Sequence, residues 1–129
     1  MGRAMLGSLL QVALGGALGA SARYLVNVSV MRALGPGFPW ATLAVNVAGS
    51  FLMGALVVWL AKRGGQPLAP FLMTGVLGGF TTFSAYSLDV ATLWERGEVM
   101  QAAGYALGSV VLSVGALFAG MWMFRVWLA

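Results

Sequence analysis

Charges are spaced so widely along this chain that four long stretches, residues 4–22, 33–61, 64–88 and 101–124, carry none. Each stretch exceeds the ~18 residues that nominate a membrane-crossing helix. Only 8% of the 129 residues are charged and 60% are hydrophobic, whereas a soluble domain carries about 25% charged residues. A chain this short has no interior large enough to hide so much apolar surface, so lipid has to cover part of it. The fold class predicted is an all-α integral membrane protein with four transmembrane helices. Residues 1–129 are expected to form a single four-helix transmembrane domain, with no linker or soluble unit left over.

The breaks between stretches are short. The first helix can continue past Arg23 to about Met31. Arg32-Ala-Leu-Gly-Pro-Gly-Phe-Pro39 is a turn cluster, and Pro39 suits the first turn of a second helix, where its missing N–H costs nothing. Lys62-Arg-Gly-Gly-Gln-Pro67 separates spans two and three, and Glu95-Arg-Gly-Glu98 separates three and four. The apolar run after Arg3 is longer than the core of a signal peptide and is followed by further spans, so it reads as a first span.

The third span differs from the others. Residues 68–77 read as ordinary apolar helix, and then comes Gly78-Gly79-Phe80-Thr81-Thr82-Phe83-Ser84. Paired glycines and paired β-branched threonines make a poor helix interior. Residues 68–79 give a helix of about 18 Å at ~1.5 Å per residue, short of a ~30 Å hydrocarbon core. A broken third helix is therefore expected, resuming over residues 85–96. In lipid such a break persists only where protein or an aqueous cavity surrounds it. It serves either as an ion site, through freed carbonyl and N–H groups, or as a kink relieved by Thr and Ser side chains.

Several function classes are excluded by what is missing. With no Cys and no His, there is no thiolate, imidazole or soft-metal site. The three acids, Asp89, Glu95 and Glu98, are too few for a hydrolytic dyad or carboxylate metal cage, so an enzyme is not expected. The net charge is +4, but the basic residues are scattered apart from Lys62 and Arg63. That pattern fits membrane-flanking anchors rather than a nucleic-acid face.

Two neutral tracks stand out. Thr42, Asn46 and Ser50 recur every four residues in span two, and Tyr105, Ser109 and Ser113 do so in span four. Steps of four advance only about 40° around a helix, so each set forms one stripe. Such stripes serve interhelical hydrogen bonds or line a pore. Gly15 and Gly19, and Gly104 and Gly108, form GxxxG pairs; with Gly49 and Gly54 they predict close helix packing. Phe80, Phe83 and Tyr86 recur every three residues, and an aromatic edge can face an anion as well as pack. Arg23 and Asp89 are the ionisable residues nearest the membrane interior, and they form a possible structural charge pair. Trp40, Trp94 and Trp127 read as interfacial belt residues.

Orientation is weakly encoded. One side holds Arg3, Lys62, Arg63 and Arg125, and the other holds Arg32 and Arg96 with Arg23 near it. Four against three gives little positive-inside bias, so insertion in both directions and a dimer of oppositely inserted copies are compatible with the sequence.

The run Gly75-Val-Leu-Gly-Gly-Phe-Thr-Thr-Phe-Ser-Ala-Tyr-Ser closely resembles the signature of the Fluc (CrcB) fluoride channels. Thr42-Leu-Ala-Val-Asn-Val-Ala-Gly-Ser-Phe51 is similar to their second-span motif, and Gly15-Gly-Ala-Leu-Gly-Ala-Ser-Ala-Arg-Tyr24 resembles their first-span motif. The likeness covers nearly the whole chain in order. It implies an antiparallel, dual-topology homodimer with two separate fluoride pores in a prokaryotic plasma (inner) membrane. The pore residues implied are Asn46, Thr82, Phe83, Tyr86, Tyr105, Ser109 and Ser113. Tyr86 stands where phenylalanine is usual, and Asp89 where many members carry glutamate. The resemblance also implies a structural sodium ion at the dimer centre, held by the backbone carbonyls of Gly78 and Thr81. Partners are then fluoride, sodium, the lipid bilayer and a second copy of the chain, with no nucleic acid.

The activity implied is passive export of fluoride to limit its toxicity. Hydroxyls, an amide and ring edges can replace fluoride's hydration without a fixed cation that would hold it too tightly. A membrane potential contributes ~2.3 kcal/mol per charge per 100 mV toward expelling an anion from a negative interior. Two other readings stand beside this one. A small proton-coupled multidrug transporter needs a carboxylate in span one, which has none. A structural membrane subunit would have no transport of its own.

Overall fold

A computed structural model describes residues 2–129. All regular structure among the described residues is helical, with no strand. The order is α1 (Arg3–Leu34), α2 (Trp40–Arg63), a 3₁₀ turn (Gln66–Leu68), a π-helical segment (Pro70–Leu77), α3 (Gly78–Phe80), α4 (Phe83–Glu95) and α5 (Val99–Trp127). Four segments are long and apolar enough to cross a membrane: Arg3–Leu34, Trp40–Arg63, Gln66–Glu95 and Val99–Trp127. At ~1.5 Å per residue, α1 is about 48 Å long and α2 about 36 Å, beyond the ~30 Å core in both cases.

The connections follow the turn chemistry of the sequence. Gly64 ends α2 in the left-handed region, φ 69°, with its N–H on the Leu60 carbonyl. Gly97, φ 79°, reverses the chain between α4 and α5. An L side chain is strained at such angles, and glycine is not.

Packing pairs α2 with α5 and α1 with the first half of the third span. Small residues make both contacts close. A Cβ on Gly54 would collide with the Leu117 carbonyl oxygen, and one on Gly120 with that of Phe51. On α1, a Cβ at Gly15 would meet the Phe71 carbonyl, and one at Gly19 the Val76 carbonyl. The Gly15–Gly19 pair thus packs as its spacing predicts. Gly104 and Gly108 do not, since a Cβ at either would meet nothing within 4 Å in this chain. Gly120 does that work on α5 instead.

The third span departs from ordinary helix in two places. Over Pro70–Leu77 the bonding is π-helical rather than α-helical, where the sequence reads as plain apolar helix. This wider turn lies where the α1 backbone comes closest, and Pro70 lacks the N–H that an α-helix would use. Further on, Gly78 and Gly79 remain helical, and only Thr81 (φ −87°, ψ 160°) and Thr82 (φ −154°, ψ 125°) are extended. The paired glycines permit contact rather than a turn: a Cβ on Gly79 would lie 2.8 Å from the Gly16 carbonyl oxygen.

Candidate functional site

The two extended threonines organise the site: Thr81 keeps its N–H on the Leu77 carbonyl at 3.0 Å, whereas Thr82 loses its helical backbone partners. Asn46 of α2 replaces them at Thr82: its Nδ2 donates to the Thr82 carbonyl at 3.0 Å, and its Oδ1 accepts from the Thr82 N–H at 2.8 Å. The side-chain amide therefore acts as a short piece of strand against the threonine backbone. One Nδ2 hydrogen remains. Thr82 then caps α4, its Oγ1 accepting from the Ala85 N–H at 3.2 Å and lying 3.3 Å from Ser84 Oγ. Thr81 is anchored through its hydroxyl, which donates to the Leu77 carbonyl at 3.0 Å. Its methyl fills the space that Gly49 leaves open.

The break leaves the carbonyls of Gly78, Phe80 and Thr81 without a backbone partner. In a continuous helix the Gly78 carbonyl would accept from the Thr82 N–H, which goes to Asn46 instead. The Thr81 carbonyl would accept from the Ala85 N–H, which goes to Thr82 Oγ1. Both are neutral oxygen donors of the kind a hard cation takes, so their chemistry fits sodium. Two oxygens alone do not enclose an ion. Among the described residues no cluster of His, Cys, Asp or Glu could hold a metal. The adjacent Gly79 carbonyl is already taken by Arg23, whose Nε donates to it at 3.1 Å.

A large cavity, about 340 Å³, opens beside this segment and is lined by Asn46, Ser50, Thr82, Phe83, Ser109 and Ser113, with Thr81 and Tyr86 also on its wall. Six of the seven residues expected in a pore thus come together. Ser109 is 5% exposed, and its Oγ has no hydrogen-bond partner in this chain. Phe83 is 76% exposed in the single chain, and its ring lies 5.3 Å from that of Tyr86.

Tyr105 is the member that stands apart. It is 2% exposed, and its hydroxyl donates to Asp89 Oδ2 at 2.9 Å rather than toward Ser109. Tyr86 lies between the two regions, 5.4 Å from the Tyr105 ring, and its hydroxyl donates to the Ala106 carbonyl at 2.7 Å. The track in span two divides in the same way, with Asn46 and Ser50 on the large cavity and Thr42 on a second that includes Asp89. Arg23 and Asp89 do not pair, since each is engaged elsewhere. Sequence reasoning passed over Asn27, one helical turn beyond Arg23 on α1, which joins Arg23, Thr42 and Thr82 around a small third cavity. The four-residue step from Arg23 was the available signal.

The site holds neutral hydrogen-bonding groups, freed carbonyls and an aromatic pair. It is equipped to pass or hold a small ion rather than to break bonds.

Residues 10–121 match the family model described as CrcB-like protein, Camphor Resistance (CrcB). The chain is 65% identical over 125 residues to the fluoride-specific ion channel FluC of Cereibacter sphaeroides strain ATCC 17029, covering 97% of this chain and 100% of that one. It is 65% identical over 114 residues to the protein of the same name from Paracoccus denitrificans, covering 88% and 91%. With the FluC of Mesorhizobium japonicum it shares 52% over 119 residues, covering 92% and 96%. A family match over residues 10–121 and similarity at this level lead to one conclusion: the chain belongs to the CrcB-like family.

Proposed function

We propose that this protein is a fluoride-selective ion channel that exports fluoride passively across the plasma membrane and so limits fluoride toxicity. The observation that carries the reading is the large cavity, where Asn46, Thr82, Ser109 and Ser113 offer neutral hydrogen-bond donors beside the rings of Phe83 and Tyr86. A small, strongly hydrated anion needs close donors in place of water, and it needs none so strong that it cannot leave. Helix α4 begins at the cavity wall, so its positive dipole end adds to the attraction without a full charge. The relatives at 65% identity bear the name fluoride-specific ion channel.

The working unit in this reading is an antiparallel homodimer inserted in dual topology. Phe83 stands exposed, and the large cavity is open on one side in a single chain; a second copy would close it. The same second copy would bring its own Gly78 and Thr81 carbonyls to the first pair, giving four neutral oxygens for a sodium ion at the dimer centre. Sodium would there hold two chains together and take no part in moving fluoride. Within each third span, the departure from helix at Thr81 and Thr82 serves both ions, with carbonyls turned to sodium and ring edges and hydroxyls turned to fluoride. Tyr105 and Asp89 continue the pathway away from the centre.

Efflux from liposomes tests the reading. Vesicles holding the purified protein, loaded with fluoride and sodium, should release fluoride far faster than protein-free vesicles and should retain chloride. No fluoride release above the protein-free rate would sink it. Drug uptake driven by a pH gradient would instead favour a multidrug-type transporter.

A further inference from the structure

The second cavity, about 180 Å³, is lined by Asn27, Phe38, Thr42, Asp89, Thr92 and Arg96. It shares Asn27 and Thr42 with the small cavity that holds Arg23 and Thr82, and Thr82 also lines the large one. The three cavities are therefore neighbours, lying in a row from this end to the site around Asn46 and Phe83 with single side chains between them. The lining of the second cavity includes two charged side chains, Asp89 and Arg96, seven residues apart on the same side of α4. Asp89 is half-buried and accepts the Tyr105 hydroxyl. Arg96 caps the C-terminus of α4, and its Nη1 donates to the Gly37 carbonyl at 3.1 Å, in the connection between α1 and α2.

That bond pins the guanidinium to the cavity wall and uses one of its five N–H donors. The other charges toward this end are Arg23, Arg32, Glu95 and Glu98. Together with Asp89 and Arg96 they cancel, three basic against three acidic residues, whereas the opposite end carries Arg3, Lys62, Arg63 and Arg125 and no acidic side chain. All three acidic side chains of the sequence thus lie toward the Asp89 end, where an approaching anion meets them. Only Arg96 opposes them from within the cavity, since Arg23 and Arg32 are not part of its lining.

We propose that the Asp89–Arg96 cavity is an outer mouth of the ion pathway and that Arg96 is its anion-collecting residue. The guanidinium offsets the Asp89 carboxylate and raises the local concentration of fluoride where the path opens to water. This rests on the reading that the protein conducts fluoride. Arg96 does not hold the ion at the narrow site; it sets how often an ion arrives there. Low-dielectric walls focus the field of a single charge at such a mouth, and one charge at contact range changes local anion concentration by about threefold to tenfold at low salt. Mobile ions shorten its reach, from ~30 Å at 0.01 M ionic strength to ~8 Å at 0.15 M.

The test measures fluoride efflux below saturation from liposomes with wild-type protein, Arg96→Gln and Arg96→Lys. Sodium is held constant, and ionic strength is varied with an impermeant salt. Glutamine keeps a donor for the Gly37 carbonyl and loses the charge; lysine keeps the charge and loses the fork. Arg96→Gln should conduct about threefold to tenfold less than wild type at low ionic strength, converge on it at high ionic strength, and show a flatter salt dependence. Arg96→Lys should follow the wild type. Equal flux and equal salt dependence in Arg96→Gln would overturn the proposal. So would a parallel loss in both variants that salt does not alter, because that pattern marks Arg96 as only a structural anchor. Wild-type vesicles that release no fluoride would instead overturn the channel reading, a result distinct from either of these.

Discussion

Tyr86 differs from phenylalanine by one oxygen, and that oxygen donates to the Ala106 carbonyl at 2.7 Å. The hydroxyl therefore ties α4 to α5 and is not free to bind an ion in the large cavity. Tyr86→Phe is expected to keep fluoride conduction within about twofold and to lower stability by about 0.6 kcal/mol, the average for a hydrogen bond between membrane helices. Efflux and unfolding in a denaturing detergent series check the two halves. Phe83 is the contrasting residue, since its ring is exposed at the cavity with no hydrogen-bonding group to hold it. Phe83→Ile keeps the apolar bulk and removes the positive ring edge, so flux should fall below detection while the protein still elutes as a dimer. Wild-type flux in that variant would reduce Phe83 to packing. Spacing alone marked both aromatics, but the partner of the Tyr86 hydroxyl lies 20 residues away on another helix and is a matter of packing.

At the scale of the element, the third span is where sequence and structure differ most usefully. Double glycine reads as a helix breaker, yet Gly78 and Gly79 stay helical and the extended residues are Thr81 and Thr82. Propensity describes an isolated helix. Here the contact with α1 rewards residues without a Cβ, and Asn46 supplies hydrogen bonds that make the extended threonines affordable. The close approach is directly testable on α1. Gly19→Ala places a Cβ against the Val76 carbonyl, whereas a Cβ at Gly16 meets nothing within 4 Å. Gly19→Ala should destabilise by about 1–3 kcal/mol, the usual cost of overpacking, and Gly16→Ala by far less; paired thermal melts distinguish them. The GxxxG spacing located one such contact, at Gly15 and Gly19. At Gly104 and Gly108 no helix of the same chain comes close, because spacing identifies a smooth face and not which neighbour covers it.

The predictions for the whole molecule concern assembly. If two copies meet antiparallel, a single cysteine placed after Ala129 should be labelled by an impermeant reagent from both faces of the membrane. Labelling from one face only would leave the dual-topology proposal without support. If sodium joins the two third spans, replacing it with a large organic cation on both sides should cut fluoride flux at least tenfold and weaken the dimer together. Unchanged flux would remove sodium from the structure proposed.

The membrane class and the four spans could be read directly from the chain, because the length of an uncharged stretch sets whether it can cross hydrocarbon, and that is a local property. The same holds for turns that end on Gly64 and Gly97, where a backbone angle demands one residue type. Contacts between distant residues were not readable in this way. Asn46 and Thr82 are 36 positions apart, and Arg96 and Gly37 are 59 apart. Tyr105 lies in line with Ser109 and Ser113 on one helix face, yet its hydroxyl turns to Asp89. Periodicity places a side chain on a face, while its partner depends on which helix packs there and at what height. For that reason the apolar spans were legible in composition and spacing, and the hydrogen bonds that shape the pathway through them emerged only once the helices were packed.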